Sequence, residues 1–229
     1  KQKPGSQKRT RVASHRKSTT TRIADQAPDL QRATELVLEL MAIPGKSGEE
    51  GIVADTIERK LRDAGARVSM IRRDAIPRRT PVAGTTGNLI LRLPGTVRKP
   101  RRMFSAHMDT VPICVGSRPV VKKRQVRSAD ADTGLGADDR AGVATILSAA
   151  RRLTKGDAPP VGVELLFTTC EERALAGAKA FDPAQLSSEF GFVFDHASPI
   201  GELVTASPTY YRLEADVRGQ AAHAGIRPE

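Results

Sequence analysis

The amino-acid sequence predicts an α/β protein: a three-layer α/β/α domain with a mostly parallel or mixed sheet, followed by the beginning of an α+β domain. Over residues 28–206, short apolar runs alternate with amphipathic stretches of helical period. This alternation is typical of helices that cover both faces of a sheet. Residues 210–219 instead alternate apolar and polar side chains, which favours a half-exposed antiparallel strand. We therefore place the domain boundary at residue 207, so that residues 207–229 begin the second domain.

Helices are predicted from capping residues and apolar spacing. Asp29 can cap a helix over residues 30–41. Ser47 and Glu50 have the spacing of a capping box for a second helix, which Gly65 ends. The apolar stripe of this second helix consists of Ile52, Val53, Ile57 and Leu61. Two later helices are predicted at residues 140–153 and 173–181.

Strands are predicted from short apolar runs bounded by turn residues. They cover residues 67–71, 87–95, 101–107, 161–169 and 190–195. Several of these runs are almost continuously apolar, as expected of strands that are covered on both faces. The sequence therefore predicts a buried sheet.

Basic residues are concentrated at the start of the chain. Residues 1–27 hold eight Lys or Arg side chains and one acid, so they contribute +7 of the formal net charge of +11. Large apolar side chains are almost absent there, and the segment cannot bury enough surface to offset its ordering entropy. We expect a disordered basic tail, which is either a solvated arm without a role or a transient contact for nucleic acid or anionic lipid.

The composition also bounds the partners and the location of the protein. Aromatic residues make up 3% of the chain and Trp is absent, which disfavours stacking on nucleic-acid bases. No apolar run has the length of a membrane span, and no secretory signal is recognisable. Cys114 and Cys170 lack the spacing of a metal-binding or redox pair. The sequence predicts a cytoplasmic protein without membrane contact, whose body does not bind nucleic acid.

Acidic and imidazole side chains are concentrated where predicted strands end or a helix begins. They are His107, Asp109, Asp138, Asp139, Glu171, Glu172, Asp195 and His196. In open α/β sheets the carboxyl ends of the strands form the edge where ligands bind. Carboxylates brought together at such an edge repel one another unless a cation lies among them. A mixed imidazole and carboxylate set suits zinc, manganese or cobalt, and two ions sharing one carboxylate would use about this many ligands.

Each local pattern also has a simpler interpretation. Asp138 and Asp139 could cap the following helix, where their charges interact favourably with the helix dipole. Glu171 and Glu172 could belong to a solvated loop, although an apolar strand leads directly into them. His223 precedes Ala and Gly at a predicted helix start and is typical of a surface histidine. The metal site therefore depends on these residues meeting at one edge.

Five motifs, taken in their order and spacing, resemble the dinuclear zinc exopeptidases that include peptidase T, carboxypeptidase G and the aminoacylases. The motifs are "SAHMDTVP", "GLGADDRAG", "FTTCEERALAGAKAFD", "FDHASPIGELVTASP" and "AAHAGIRPE". The form of the second and fourth motifs is most similar to peptidase T and its tripeptidase-like relatives. The resemblance covers roughly residues 30–229, which is the whole chain except the basic tail.

The resemblance implies two Zn²⁺ ions, for which Co²⁺ or Mn²⁺ can substitute. His107 and Asp195 match ligands of one ion. Glu172 matches a ligand of the other ion, and Asp138 matches the carboxylate that bridges the two. Asp139 matches a structural position.

The resemblance also assigns catalytic roles. Glu171 matches the general base, and Asp109 matches the acid that orients the ring of His107. His223 resembles a histidine of the lid domain that stabilises the oxyanion, in some members from across a dimer interface. The family's lid would begin near Ser207, and it implies a possible homodimer.

The implied reaction is hydrolysis of the terminal amide bond of a small peptide, as in a tripeptide aminopeptidase. Carboxypeptidase and N-acyl amino acid amidohydrolase activities share this chemistry and are alternatives, as is a catalytically inactive binding scaffold. In this family a histidine far downstream also binds the second metal, and the sequence ends at Glu229 before reaching it. We therefore expect this chain by itself to be inactive, to bind metal weakly or at one site, and to expose an apolar edge.

Overall fold

The computed structural model describes residues 27–75, 82–155, 159–197, 199–211, 213–216 and 218–219. The chain divides into two compact units after His196. The predicted basic tail, except residue 27, lies outside the described residues, and so does His223. The domain boundary at residue 207 stays a prediction.

The described part of the first unit contains four α-helices and seven strands. The helices are α1 (Leu30–Met41), α2 (Gly51–Asp63), α3 (Ala137–Lys155) and α4 (Ala176–Ala180). The strands are β1 (Ile71–Arg73), β2 (Leu89–Leu93), β3 (Val97–His107), β4 (Pro119–Lys122), β5 (Gln125–Ser128), β6 (Val161–Thr168) and β7 (Phe190–Val193). Among the residues described, we find no helix with both the length and the apolar character needed to cross a membrane.

Five strands form one mixed sheet in the order β1-β2-β6-β3-β7. Strand β3 lies between β6 and β7 and runs parallel to both, whereas β2 is antiparallel to β6 and to β1. Strands β4 and β5 form a separate antiparallel hairpin. The predicted α/β class with a mixed sheet is confirmed. Because β6, β3 and β7 are parallel neighbours, their carboxyl ends lie side by side at one edge of the sheet.

The main hydrophobic core lies on one face of the sheet, under helices α1, α2 and α3. Its fully buried members include Leu40, Ile57, Leu89, Leu91, Leu165 and Phe167. On the other face, Ile90 and Leu166 pack against Phe181, at the end of α4. Both faces are therefore covered, by three long helices on one side and by a short segment on the other.

The two N-terminal helices show where local capping signals succeed and fail. Helix α1 has the predicted bounds, and Asp29 caps it by accepting a backbone N–H of the first turn. The predicted capping box of α2 is wrong, because both of its side chains bind elsewhere. The Ser47 hydroxyl donates to Asp109, and the Glu50 carboxylate accepts the backbone N–H of Cys170. Buried tertiary partners thus replace the local cap.

The predicted apolar stripe of α2 is partly wrong. Val53, Ile57 and Leu61 are buried as predicted, but Ile52 is 60% exposed. The helix buries Ala54 and Thr56 instead. Packing against the sheet and α3 decides which side of α2 is buried. The apolar period of the sequence does not by itself predict that side.

Two other predicted elements differ from the structure, and one hairpin was not predicted. Residues 68–70 form a 3-10 turn, and the strand predicted at 67–71 begins only at Ile71, where pairing with Leu91 becomes possible. Helix α4 is shorter than the predicted 173–181 because a turn precedes it. The β4–β5 hairpin was not predicted, since its turn lacks the glycine or asparagine typical of tight hairpins.

The second unit shows neither helix nor strand in its described residues. A turn is closed by the N–H of Glu202, which donates to the carbonyl of Pro199 at 2.9 Å. Large apolar side chains are exposed here, including Ile200, Leu203, Tyr210, Tyr211 and Leu213. The strand predicted at 210–219 is wrong for the residues described there, because alternation forms a strand only where a hydrogen-bonded partner is present.

The two isoleucines of α2 give a matched test of the core. Ile57→Ala is expected to lower the free energy of unfolding by about 2–5 kcal/mol, because Ile57 is fully buried. Ile52→Ala, on the exposed side of the same helix, is expected to change it by less than about 0.5 kcal/mol. Urea unfolding of both variants measures the difference. An equal decrease in the free energy of unfolding in both variants would support the apolar stripe predicted from the sequence and contradict the observed packing of α2.

Candidate metal centre

His107 lies at the centre of the polar cluster at the carboxyl edge of the sheet. It is the last residue of β3, and its side chain is 2% exposed. Its Nε2 atom lies 2.9 Å from Asp138 Oδ1, 3.8 Å from Asp195 Oδ1 and 4.0 Å from Glu171 Oε2. A ligand atom of Glu172 also lies within 4.8 Å of His107 and Glu171. The fold thus brings together the four predicted metal ligands and the predicted base.

The order of the strands explains this convergence. The backbone N–H of Phe194 donates to Ser105 of β3 at 2.8 Å, which extends the pairing of β7 up to Asp195. On the other side of β3, His107 is paired with Thr168, the last residue of β6. The chain leaving β6 therefore delivers its two glutamates next to His107.

Asp138 and Asp139 reach the cluster from the start of α3. Their backbone angles are not helical, and the peptide bond between them is cis. Asp139 is 4% exposed, and its two oxygens accept the backbone N–H groups of His107 and Gly142, both at 3.1 Å. Asp139 therefore acts as a helix cap, and Asp138 is the one that approaches the imidazole.

Close packing holds the start of α3 against the end of β7. A Cβ atom at Gly142 would lie 2.2 Å from the carbonyl oxygen of Phe194 and 2.3 Å from Asp139 Oδ1. No side chain fits in this space. Glycine at this position therefore lets α3 place Asp138 beside Asp195.

Asp109 is fully buried beneath His107 and is bound at both carboxylate oxygens. Oδ1 accepts the backbone N–H of Glu171 at 2.9 Å and lies 3.4 Å from His107 Nδ1. Oδ2 accepts the Ser47 hydroxyl at 2.6 Å and the backbone N–H of Glu172 at 3.1 Å. Burial by itself would raise the pKa of Asp109, but the interactions with His107 and Ser47 lower it below its ordinary value. Asp109 is therefore ionised.

The electrostatics of the cluster favour a positive charge at its centre. Burial, together with repulsion by neighbouring acids, raises the pKa values of Glu171, Glu172 and Asp195. Burial by itself would lower the pKa of His107, but the surrounding carboxylates, with Asp109 foremost, raise it to about 10. The negative charges are thus destabilised and a positive charge is stabilised, so a bound cation would relieve the repulsion.

The donor set fits a metal site. The ligand atoms of His107, Asp139 and Asp195 lie within 4.8 Å of one another, and so do those of His107, Glu171 and Glu172. Imidazole and carboxylate donors of this kind suit zinc, manganese or cobalt. Both oxygens of Asp139 already accept backbone N–H groups, which favours Asp138 as the bridging ligand. This assignment stays a prediction.

Four polar residues support this cluster in a way that the sequence did not predict. Glu50, Asn88 and Arg140 are buried, and Ser47 is half-buried. Asn88 is an example: its Oδ1 accepts the backbone N–H of Thr169 at 2.9 Å, and its Nδ2 donates to the carbonyl of Gly177 at 3.1 Å. The only signal in the sequence was that Glu50 and Arg140 stand next to apolar helical stretches. That signal shows neither the burial nor the partners of these residues.

Comparisons of the sequence with known proteins show that it is similar to peptidases. The model of peptidase family M28 matches residues 88–205. The uncharacterized protein YqjE of Bacillus subtilis (strain 168) is 34% identical over 200 residues, which are 87% of this chain and 52% of that protein. Peptidase T of Serratia proteamaculans (strain 568) is 35% identical over 96 residues, which are 42% of this chain and 23% of that protein. The matched part of the chain thus spans about half the length of YqjE and about a quarter of the length of peptidase T.

Solved structures show the same fold. Aminopeptidase PepT of Bacillus cereus has a TM-score of 0.69 and 30% sequence identity, with 76% of this chain and 45% of that chain covered. A tripeptidase of Staphylococcus aureus has a TM-score of 0.68 and 28% identity, with the same two coverages. The matched family segment contains His107, the acids at the starts of α3 and after β6, and Asp195. The chain therefore belongs to peptidase family M28, and it is similar in sequence to peptidase T and in structure to aminopeptidase PepT.

Proposed function

We propose that the protein encoded by the complete gene is a metal-dependent exopeptidase that hydrolyses the terminal amide bond of small peptides. The observation that carries this proposal is the convergence of four carboxylates on the buried ring of His107, at the carboxyl edge of parallel strands. Carboxylates that have only a structural role are seldom gathered in this way, because charge repulsion and burial both oppose it. Membership of a peptidase family supports the same activity.

In this proposal two divalent ions bind to the cluster, zinc or, as substitutes, cobalt or manganese. Their ligands are His107, Asp138, Glu172 and Asp195. When bound, such ions polarise the scissile carbonyl group and lower the pKa of a water molecule. Asp109 orients His107, because its Oδ1 lies 3.4 Å from Nδ1 and leaves Nε2 facing the acids.

Glu171 is the proposed general base. Its backbone N–H is fixed by Asp109, while its carboxylate is 28% exposed and can reach a water molecule. Burial raises the pKa of Glu171, which brings it closer to the working pH and makes proton transfer more effective. Glu171 accepts a proton from the attacking water and donates it to the leaving amine.

The similarity to peptidase T and to a tripeptidase supports a tripeptide aminopeptidase activity. Carboxypeptidase and N-acyl amino acid amidohydrolase activities remain alternatives, because they use the same chemistry. A comparison of hydrolysis rates for tripeptides, dipeptides and acyl amino acids separates them. The oxyanion role of His223, a homodimer through the lid and a cytoplasmic location are further parts of the proposal that rest on the sequence alone.

Glu171→Gln tests the proposed base in the protein expressed from the complete gene. The substitution is expected to lower kcat by about 100-fold to 10,000-fold, because the amide cannot accept the proton. Zinc content, measured by elemental analysis, is expected to stay at the wild-type value. A chelator should abolish wild-type hydrolysis, and added zinc should restore it.

Glu35→Gln is the control for this substitution, because Glu35 is an exposed glutamate on α1 away from the cluster. It is expected to keep the wild-type kcat. If hydrolysis survived both chelation and Glu171→Gln, the proposed mechanism would be wrong.

His107 and Asp109 are expected to differ in their effect on metal binding. His107→Ala removes a proposed ligand and is expected to lower the number of tightly bound ions per chain. Asp109→Asn removes the charge that orients the ring, and it also replaces one hydrogen-bond acceptor by an NH2 group that cannot accept. It is expected to weaken zinc affinity by about 10–100-fold while the stoichiometry at saturation is kept. Isothermal titration calorimetry measures both quantities. Loss of an ion in Asp109→Asn at saturating zinc would instead make Asp109 a ligand.

A further inference from the structure

Two buried carboxylates from distant segments hold the turn that carries Glu171. The backbone N–H of Cys170 donates to Glu50 Oε1 at 2.9 Å. The N–H groups of Glu171 and Glu172 donate to Asp109 at 2.9 and 3.1 Å. Glu50 and Asp109 are both 0% exposed. Three consecutive amides are thus bound by ionisable side chains, and only Asp109 has a role in the mechanism so far.

Glu50 is placed to fix the conformation of Cys170. Its Oε1 also accepts the backbone N–H of Gly48 at 3.0 Å and lies 3.4 Å from Cys170 Sγ. Cys170 has a φ of 52°, in the left-handed region that residues other than glycine rarely adopt. Such a conformation persists only where the surroundings hold it. The hydrogen bond from Cys170 to Glu50 supplies that restraint immediately before Glu171.

Arg140 is a buried cation whose guanidinium group packs at Gly45, in the loop that precedes Glu50. It is 0% exposed, and its Nε and Nη1 atoms have no hydrogen-bond partner among the described residues, as is also true of Glu50 Oε2. A Cβ atom at Gly45 would lie 2.8 Å from Arg140 Nη2, so glycine makes room for the guanidinium group. The Nη2 atom of Arg140 donates to the carbonyl of Gly45 at 3.5 Å. The guanidinium group of arginine is protonated at neutral pH.

We propose that Glu50 is a positioning residue for Glu171, because its carboxylate fixes the turn at Cys170. The inference rests on the proposed function of Glu171. Glu50 contacts neither His107 nor the acids around it in the described hydrogen bonds, so it acts through the backbone of Cys170.

Two substitutions distinguish the effect of the side-chain length of Glu50 from the effect of its charge. Glu50→Asp keeps the carboxylate charge but is one methylene too short to reach the N–H of Cys170. It is expected to lower kcat by about 10-fold or more with little change in KM. Glu50→Gln keeps an acceptor at the same reach but loses the charge, and it is expected to keep most of kcat while Tm falls. Zinc content per chain is expected to be unchanged in both variants.

Hydrogen exchange in the metal-free protein gives a readout that does not depend on activity. The amides of residues 170–172 are expected to exchange faster in Glu50→Asp than in the wild type or in Glu50→Gln. This measurement reports directly whether Glu50 holds the turn.

Glu164 provides the matched control. It is a buried glutamate of β6, 1% exposed, which accepts the backbone N–H of Ser187 at 2.7 Å and pairs with Arg92 at 3.0 Å. Glu164→Asp is expected to lower Tm and to speed exchange at residue 187, while kcat stays at the wild-type value. A loss of kcat in this control equal to that of Glu50→Asp would mean that any buried glutamate has this effect.

The outcomes distinguish the inference from the proposed function. If Glu50→Asp kept the wild-type kcat and exchange rates, or if Glu50→Gln lost as much kcat as Glu50→Asp, the positioning role would be wrong. If the wild-type protein kept its activity in the presence of a chelator, and the Glu171→Gln variant kept the wild-type kcat, the proposed function alone would be wrong. In that case the exchange rates at residues 170–172 would still decide whether Glu50 holds the turn.

Discussion

The buried carboxylate of Asp109 connects three segments of the chain that the fold must bring together. It accepts a hydroxyl from Ser47 in the loop after α1, faces the ring of His107 at the end of β3, and accepts two backbone N–H groups after β6. Both oxygens of the carboxylate accept hydrogen bonds, so the group is held from two sides. If Asp109 moved, the imidazole and the two glutamates would move with it, so the geometry of the cluster depends on this one side chain.

The second constraint is electrostatic. Several acids and one imidazole meet at an edge whose strands and helix are held by a packed core, so the backbone positions of these charges are fixed close together. Burial and mutual repulsion raise the pKa values of Glu171, Glu172 and Asp195, and the same field raises that of His107 to about 10. A rigid scaffold that concentrates negative charge around an imidazole is suited to bind divalent cations, and this is the physical basis of the proposed activity.

The sequence predicted most of the elements and failed where tertiary contacts compete with local signals. Helix α1 follows from its apolar period, its cap follows from Asp29, and strands β2, β3, β6 and β7 follow from apolar runs. These signals are local to each element. The capping box at Ser47 was wrong because its side chains are bound by residues far along the chain. Ile52 fitted the helical stripe but is exposed, since the sheet and α3 decide which side of α2 is buried.

The sequence by itself determined the α/β class, the motif order and the set of acids that end the strands, because these are properties of neighbouring residues. The tertiary structure alone decided that β3 lies between β6 and β7, that Asp139 caps α3 while Asp138 faces His107, and that Glu50 binds Cys170. Cys170 and Glu50 are 120 residues apart in the sequence. Local patterns carry no information on such a pair, because its hydrogen bond exists only after the helices have packed on the sheet and excluded water from both groups.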